Sequence, residues 1–588
     1  MIRGQNVRTG RDALQIAPAH LPASVYGSYW SLCPDATPSA LEIRTLHGSF
    51  GWDNNAVLTM SCDDRCDFSV LDLDAVANRF SAAGTKGGNE WEFEACFPSP
   101  DVLQLTAGGG PVELCYYGRN ADNLGFRHGM GWWVGTDAFN ILYMGIQLQV
   151  RLSWRGCEVR YDHEIRTLRF TPTGTDPLVI VAESSRTEMP SQYRAGERPE
   201  QPVESFRSWC AAFGDFPDPY REACLKAAYN LWSATISPAG QLRRHATLMT
   251  ARVMHFVWSW DHCFNAIALA AAHPALAWDQ LQVMFDAQYE SGRLPDFIAD
   301  HGRTEGLQKV PIHGWALRRL IELDAVNPRD SRSVYDRMSS WTRWWFRDRD
   351  DDRDGVCQFN HGNECQDNAT IFDLGCPVIS PDLSAYLALQ CDTLARVADS
   401  QGLFDESGSW AELGSRTVAR MVETFWKGDH FEMYHLPSGT RVGEHGLVQF
   451  MPLVLGDLLP AGVRDPLLRR LLGDEGYLTP FGLATESTKS PLYGSTPRHW
   501  KGSIYWRGPI WAPLVHLIVD GLRRAGALDE ARLIAGRFVD TVAASGGFYE
   551  NYDALTGEGR DDLGYTWTAS VFLSLIRDFG LGSQEQQQ

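Results

Sequence analysis

Two loops in this sequence carry carboxyl groups in company that suggests chemistry. The first runs Gln358-Phe359-Asn360-His361-Gly362-Asn363-Glu364-Cys365-Gln366-Asp367-Asn368-Ala369-Thr370 and then meets the apolar pair Ile371-Phe372. It holds more directed hydrogen-bonding groups than a plain surface loop needs, and Asp367 is its candidate catalytic acid. The second, Gly546-Gly547-Phe548-Tyr549-Glu550-Asn551-Tyr552-Asp553, sets Glu550 among aromatic rings. If those rings enclose it, desolvation raises its pKa; a solvated loop glutamate is the alternative. Two carboxyls in an aromatic cleft that binds hydroxyls are what glycosidic-bond hydrolysis requires. One protonates the leaving oxygen, and the other activates water or attacks directly.

Other segments offer groups that could hold a sugar. Val257-Trp258-Ser259-Trp260-Asp261 opens a helix. Asp261 reads either as a helix N-cap or as a carboxylate holding two adjacent hydroxyls, with Trp258 or Trp260 as a stacking wall. Arg293 sits in the turn Ser291-Gly292-Arg293-Leu294-Pro295-Asp296, where solvation is the plain reading. Lys309 and Trp315 flank a helix start at Pro311, and core packing explains Trp315 equally well. In the stretch His499 to Trp511, Arg507 lies between Trp506 and Trp511, as a polyol binder or as a stacked structural arginine. Glu364 and Asn368 join the candidate substrate contacts from the first loop. Asp350-Asp351-Asp352-Arg353-Asp354-Gly355 matches the front of a calcium loop, but position twelve is His361 and not the closing glutamate, so a hydrated acidic turn is expected and no metal is assigned. No cofactor is implied.

These segments fall in connections, and the elements between them must position them. Residues from about 25 to 190 read as β structure. Ile146 to Leu152 alternates apolar and polar, Trp91 to Glu94 does the same, Val159, Tyr161 and Ile165 continue the pattern, and Leu178 to Val181 is a buried run, with Gly87-Gly88 and Gly108-Gly109-Gly110 as punctuation. Many short strands predict an antiparallel β-sandwich over 1–200. Gly131 to Asp137 reads as a loop reaching toward a site or as a tryptophan pair in the sandwich core. Arg194 to Val203, with Pro199 and Pro202, reads as a linker. Helical periodicity then predicts about twelve helices, near 219–235, 261–272, 276–290, 311–325, 331–347, 382–399, 409–426, 449–459, 465–472, 510–525, 528–544 and 566–579. Twelve helices over 201–588 fit an all-α (α/α)6 barrel, and no solenoid repeat is visible.

The bulk numbers narrow the partners. A chain of 588 residues is multidomain, and a net charge of −20 argues against a nucleic-acid partner or an anionic membrane surface. Its 21 tryptophans suit the apolar faces of sugar rings as well as a core. Thirteen cysteines without a C-x-x-C pair suggest reduced thiols. With no apolar signal region and no apolar run of 18 residues, a cytoplasmic location is expected and no membrane span. Nothing specifies an oligomeric state.

Taken together, Trp258-Ser259-Trp260-Asp261, Gly292-Arg293-Leu294-Pro295, His361-Gly362-Asn363-Glu364 with Asp367-Asn368-Ala369-Thr370, Tyr505-Trp506-Arg507-Gly508-Pro509-Ile510-Trp511 and Tyr549-Glu550-Asn551-Tyr552-Asp553 resemble glycoside hydrolase family 63 and the related trehalase-like clan, in the family's order. The resemblance implies an (α/α)6 barrel behind an N-terminal β-sandwich. It also implies Asp367 as general acid, Glu550 as general base, and inversion at an α-glucoside. One step departs from the pattern: Cys365-Gln366 stands where Ser-Gly-Trp usually precedes the acid. The expected activity is an inverting α-glucosidase-like hydrolase acting on a short oligosaccharide or small glycoside. A disaccharide phosphorylase of the same architecture and a catalytically silent sugar-binding protein are the alternatives.

Overall fold

The structure, a computed structural model, describes residues 13–35, 37–48, 55–62, 66–86, 89–116, 129–186, 205–496 and 504–582. The expected linker at 194–203, the Gly87-Gly88 turn and residues 499–503 of the arginine segment lie outside them.

Strands between Ala13 and Ser185 form two antiparallel sheets, one of nine strands and one of six. In the interior of the nine-stranded sheet, beside its middle strand Val102–Gly108, runs Leu178–Ser185, whose first seven residues are all buried, as its apolar run requires. Its neighbour Leu148–Arg155 alternates buried and half-buried side chains, the mark of one covered face. Two expectations need correction. Ile165 sits in a turn and is exposed, because the strand holding Val159 and Tyr161 ends at Asp162. The segment from Gly131 belongs to an edge strand, Gly129–Val134, at the end of the large sheet. It carries Trp132 and Trp133 exposed and brings neither to the site described below.

Helices follow from Phe206. In chain order they are α1 (Phe206–Ala211), α2 (Arg221–Ser233), α3 (Asp261–Leu269), α4 (Pro274–Asp286), α5 (His313–Glu322), α6 (Arg332–Asp348), α7 (Pro381–Ser400), α8 (Phe404–Phe425), α9 (Ala461–Leu472), α10 (Ala512–Arg524), α11 (Leu528–Ser545) and α12 (Thr566–Phe579). A 3-10 stretch, Leu447–Leu458, precedes α9. Packing arranges them as a closed ring: α3 touches α5, α5 touches α7, α7 touches the 3-10 stretch, that stretch touches α10, α10 touches α12, and α12 returns to α3. A second helix backs each ring member, for example α4 behind α3, α8 behind α7 and α11 behind α10.

Sequence pattern decides which helix goes where. All nine residues of α3 are buried, as an inner helix covered on every side demands. In α8 only Trp410, Gly414, Thr417, Met421 and Phe425 are buried, one stripe at three- and four-residue spacing, so it faces inward on one side only. Gly521 allows α10 to approach the 3-10 stretch closely, since a Cβ there would meet the Leu453 carbonyl oxygen at 2.0 Å. Below the ring, Asp520 is ringed by Arg319, Arg523 and Arg524 and accepts a 2.9 Å hydrogen bond from Trp315 Nε1. Cys33, Cys224, Cys263, Cys357 and Cys391 are buried thiols. Among the described residues no helix is long and apolar enough to cross a membrane.

Candidate active site

The loops that enter the inner helices supply one pocket. Trp258, Trp260 and Asp261 come from the start of α3, Lys309 from before α5, Asn363, Cys365 and Asp367 from before α7. Tyr505, Trp506 and Trp511 precede α10, Glu550 precedes α12, and Trp567 lies in the first turn of α12. Met249 and Met254 complete the lining. Asp367 and Glu550, 183 positions apart in the chain, face this one cavity.

Glu550 is aimed by its strand. Tyr549–Tyr552 pairs antiparallel with Gly559–Leu563, and the register slips so that Asp561 and Asp562 together oppose Glu550. Asp561 takes the left-handed φ of +62° that such a bulge uses. Burial pushes the Glu550 carboxyl up to about 8, opposed by the Tyr505 hydroxyl, which donates to Oε1 at 2.6 Å. Asp367 is half-buried at the pocket, and desolvation raises its pKa while Lys309 opposes the rise. A raised pKa suits an acid that must carry a proton to the leaving group.

The geometry bears on the two readings of Asp261. It is the first residue of α3, yet neither of its buried oxygens has a hydrogen-bond partner. Burial raises its pKa to about 8, again opposed by Lys309. A buried carboxyl with no partner inside a pocket fits hydroxyl donors from a ligand. Lys309 Nζ lies 3.6 Å from Asp296, donates to the Asn363 carbonyl and sits over the Trp258 ring at 5.4 Å. Asp296, Asp367 and Asp261 together hold its pKa above the usual value despite burial.

Five of the sequence candidates stand outside the lining. Arg293 stacks on the Tyr289 ring at 4.6 Å. Trp315 packs in the core against Phe264 and His516 and bonds Asp520. Glu364 is buried and saturated, accepting from Arg349 at 2.7 Å, from the Asn360 amide at 2.8 Å and from Gln308. Asn368 is a tie: its Oδ1 accepts from the Trp506 amide at 2.9 Å and its Nδ2 donates to the Ile504 carbonyl at 3.3 Å. Arg507 donates from Nε to the Asn368 carbonyl at 2.8 Å and pairs with Asp373, so it anchors the loop of Asp367. Trp511 does line the pocket, stacked on Trp506 at 3.6 Å.

Sequence reasoning passed over Met249, Met254 and Trp567. The two methionines flank a short hairpin-like turn without a motif of its own, and Trp567 had one available signal, an aromatic residue at the entry of an inner helix. At the odd step, Cys365 lines the pocket and its thiol donates to Asp382 at 3.3 Å. The acidic turn is internally bonded: Asp350 accepts from the amides of Asp354 and Gly355, both at 3.1 Å, and Arg420 pairs with Asp354 at 3.1 Å.

Comparison with known proteins places this site in context. Residues 254–568, more than half of the chain, match the profile of the mannosylglycerate hydrolase MGH1-like glycoside hydrolase domain. A mannosylglycerate hydrolase from Rubrobacter radiotolerans is 23% identical over 54% of this chain and 90% of its own length. A glucosylglycerate hydrolase from Mycolicibacterium hassiacum is 24% identical over 56% of this chain and 94% of its own. Among solved structures, the family 63 mannosylglycerate hydrolase of Thermus thermophilus in complex with glucose aligns with a TM-score of 0.52 at 22% identity. That alignment covers 60% of this chain and 99% of the other. A bacterial glucoamylase complexed with acarbose aligns with a TM-score of 0.60 at 12% identity over 96% of this chain and 94% of its own, so its fold spans both regions described above.

Proposed function

The chain belongs to the mannosylglycerate hydrolase MGH1-like glycoside hydrolase family, and from that premise we propose that it is an inverting exo-α-glycosidase with Asp367 as general acid and Glu550 as general base. The observation that carries the reading is the meeting of these two carboxyls, from loops entering α7 and α12, in one tryptophan-walled pocket.

In this mechanism the terminal sugar enters the buried end of the pocket. Trp258 and Trp260 offer apolar faces to its C–H surface, and Asp261 accepts two of its hydroxyls. Asp367, at the half-buried side, gives its proton to the glycosidic oxygen as the bond to the anomeric carbon breaks. Glu550 takes a proton from a water that attacks the opposite face, so the configuration inverts. Lys309, 3.6 Å from Asp296, favours the ionised form of that carboxylate beside the site. Small hexosides of glycerate, the substrates in the names of the relatives, and short α-glucosides are the first compounds to try.

The phosphorylase and silent-binder readings draw on no particular observation. Lys309 is the one cation lining the pocket among the described residues, and it already faces Asp296. The test is a panel of α- and β-linked disaccharides, aryl glycosides and hexosylglycerates, with the product anomer followed by NMR from the first turnover. A β-anomer from an α-substrate is expected. A retained anomer, or turnover that depends on phosphate, overturns the mechanism.

A further inference from the structure

The pocket's Trp258 wall is half of a small sheet. Val257–Trp258 pairs with Phe297–Ala299, with Trp258 opposite Phe297 and their rings 4.5 Å apart. The pairing continues where the Ser259 amide donates to the Asp296 carbonyl at 2.8 Å, and Asp296 in turn faces Lys309. At its other end this strand runs straight into Asp300, which is buried.

Asp300 is held by the β domain. Its carboxylate accepts from Arg186 Nε at 2.6 Å and from the Gly48 amide at 2.8 Å, and it bonds His47 Nδ1 at 2.8 Å. His47 reaches Asp101 with its other nitrogen at 3.0 Å and lies flat on Tyr29, centroids 4.1 Å apart. Arg186 also bonds the carbonyls of Gly48 and Ile146, which fixes its guanidinium in place. The approach is close: a Cβ at Gly48 would meet the Ala299 Cβ at 2.3 Å. Apart from its chain neighbour His301, whose Nδ1 lies 3.9 Å away, the groups recorded around this carboxylate come from the β domain.

We propose that Asp300 is a positioning residue for the pocket, through which His47, Gly48 and Arg186 of the β domain hold the strand Phe297–Ala299, and with it the Trp258 wall and the Asp296–Lys309 pair, in register with the catalytic carboxyls. This rests on the reading of the pocket as the sugar site. It gives the β domain a part in substrate binding without contributing a group to the lining. Loss of the clasp lets the strand shift, which weakens a contact made alike in the ground and transition states, so the cost falls on KM more than on kcat.

The experiment compares the full-length wild type with Asp300→Asn and His47→Gln by steady-state kinetics on the best glycoside of the panel, and by amide hydrogen exchange. The expected result is a KM higher by about tenfold, a smaller change in kcat, and faster exchange confined to residues 257–304. Tyr229→Phe, which removes a different bond between the two regions (Tyr229 Oη to the Pro22 carbonyl, 2.8 Å), is the control and leaves both readouts unchanged. Unaltered KM and exchange in both clasp variants overturns the proposal, as does an equal shift in the control. If Asp300→Asn does not fold, His47→Gln decides. If the wild type cleaves no glycoside, the functional reading fails, and the exchange pattern still decides the clasp.

Discussion

Replacing Tyr505 by phenylalanine tests the base assignment through its pH dependence. The Tyr505 hydroxyl donates to Glu550 Oε1 at 2.6 Å, a short bond that favours the ionised carboxylate. Burial and the nearby negative charge hold the tyrosine pKa well above its usual value, so it remains a neutral donor across the working range. A hydrogen bond to a charged group contributes about 1.5–3 kcal/mol, and one pKa unit corresponds to about 1.4 kcal/mol. Removing the donor therefore raises the Glu550 pKa by about one to two units from its starting point of about 8. A base must be ionised and an acid protonated to act, so beside the limb that Asp367 sets, the wild-type kcat/KM profile has a limb near 8 set by Glu550. In Tyr505→Phe that limb moves to higher pH. There kcat/KM at neutral pH drops about tenfold for each pH unit the limb moves, and the deficit closes at alkaline pH. Phenylalanine retains the ring, whose edge-on contact with Trp511 at 4.8 Å persists, so packing is little disturbed. The assay is a kcat/KM profile from acid to alkaline pH for both proteins. A loss of equal size at every pH, or a limb that stays where it was, refutes the reasoning.

Other perturbations separate the remaining roles. Asp367→Asn and Glu550→Gln should each lower kcat by about 10²–10⁴-fold with an unchanged circular dichroism spectrum; near wild-type turnover in either ends its assignment. Arg507→Lys keeps a positive charge near Asp373 but loses the Nε bond to the Asn368 carbonyl. It should lower kcat by about tenfold or more with KM nearly unchanged, whereas an arginine that gripped the sugar would show its loss mainly in KM. Asp520→Asn leaves Arg319, Arg523 and Arg524 without their buried partner and should cost about 3–5 kcal/mol in urea unfolding. Because these arginines depress the Asp520 pKa, its stabilisation is present above the ordinary carboxylate range and is lost as pH falls through the lowered folded value, which unfolding at stepped acidic pH will show.

How far the sequence could be read depended on the range of the interaction involved. The helix pattern was largely legible because most segments carry their own periodicity, even the short one near 465–472, present as α9; the segment near 449–459 is instead the 3-10 stretch Leu447–Leu458, and α1 was not among those expected. Trp258, Trp260, Asp261, Lys309, Asp367, Trp511 and Glu550 were legible as residues of one pocket because a helix-entry loop rich in polar and aromatic groups has few structural uses. Arg293, Trp315, Glu364, Asn368 and Arg507 were misplaced for a shared reason. Each has the residue type of a ligand contact, but a partner elsewhere in the chain already occupies it: Asp520 for Trp315, 205 positions away, or Arg349 for Glu364. No local pattern reports such a partner. The bulge that aims Glu550 is illegible for the same reason, since it depends on how Gly559–Leu563 pairs with its neighbour.

Those same saturated residues explain how two carboxyls from distant loops can keep a catalytic spacing. The loop of Asp367 is tied at Asn368 and Arg507 to the segment 504–511. That segment is tied in turn to the strand of Glu550, because Ile510 and Tyr552 exchange amide-to-carbonyl bonds at 2.7 and 3.0 Å. The proposed acid and base are thus joined through one short stretch of chain, and not only through the helices behind them. A shift of about 1 Å between reacting groups can cost about 10²-fold in rate, so the stretch has to be stiff. Its stiffness comes from the Trp506–Trp511 stack and from Arg507, held at both ends by Asn368 and Asp373. In the proposed mechanism, the arginine expected to grip the sugar would instead act indirectly, by fixing where Asp367 stands relative to Glu550.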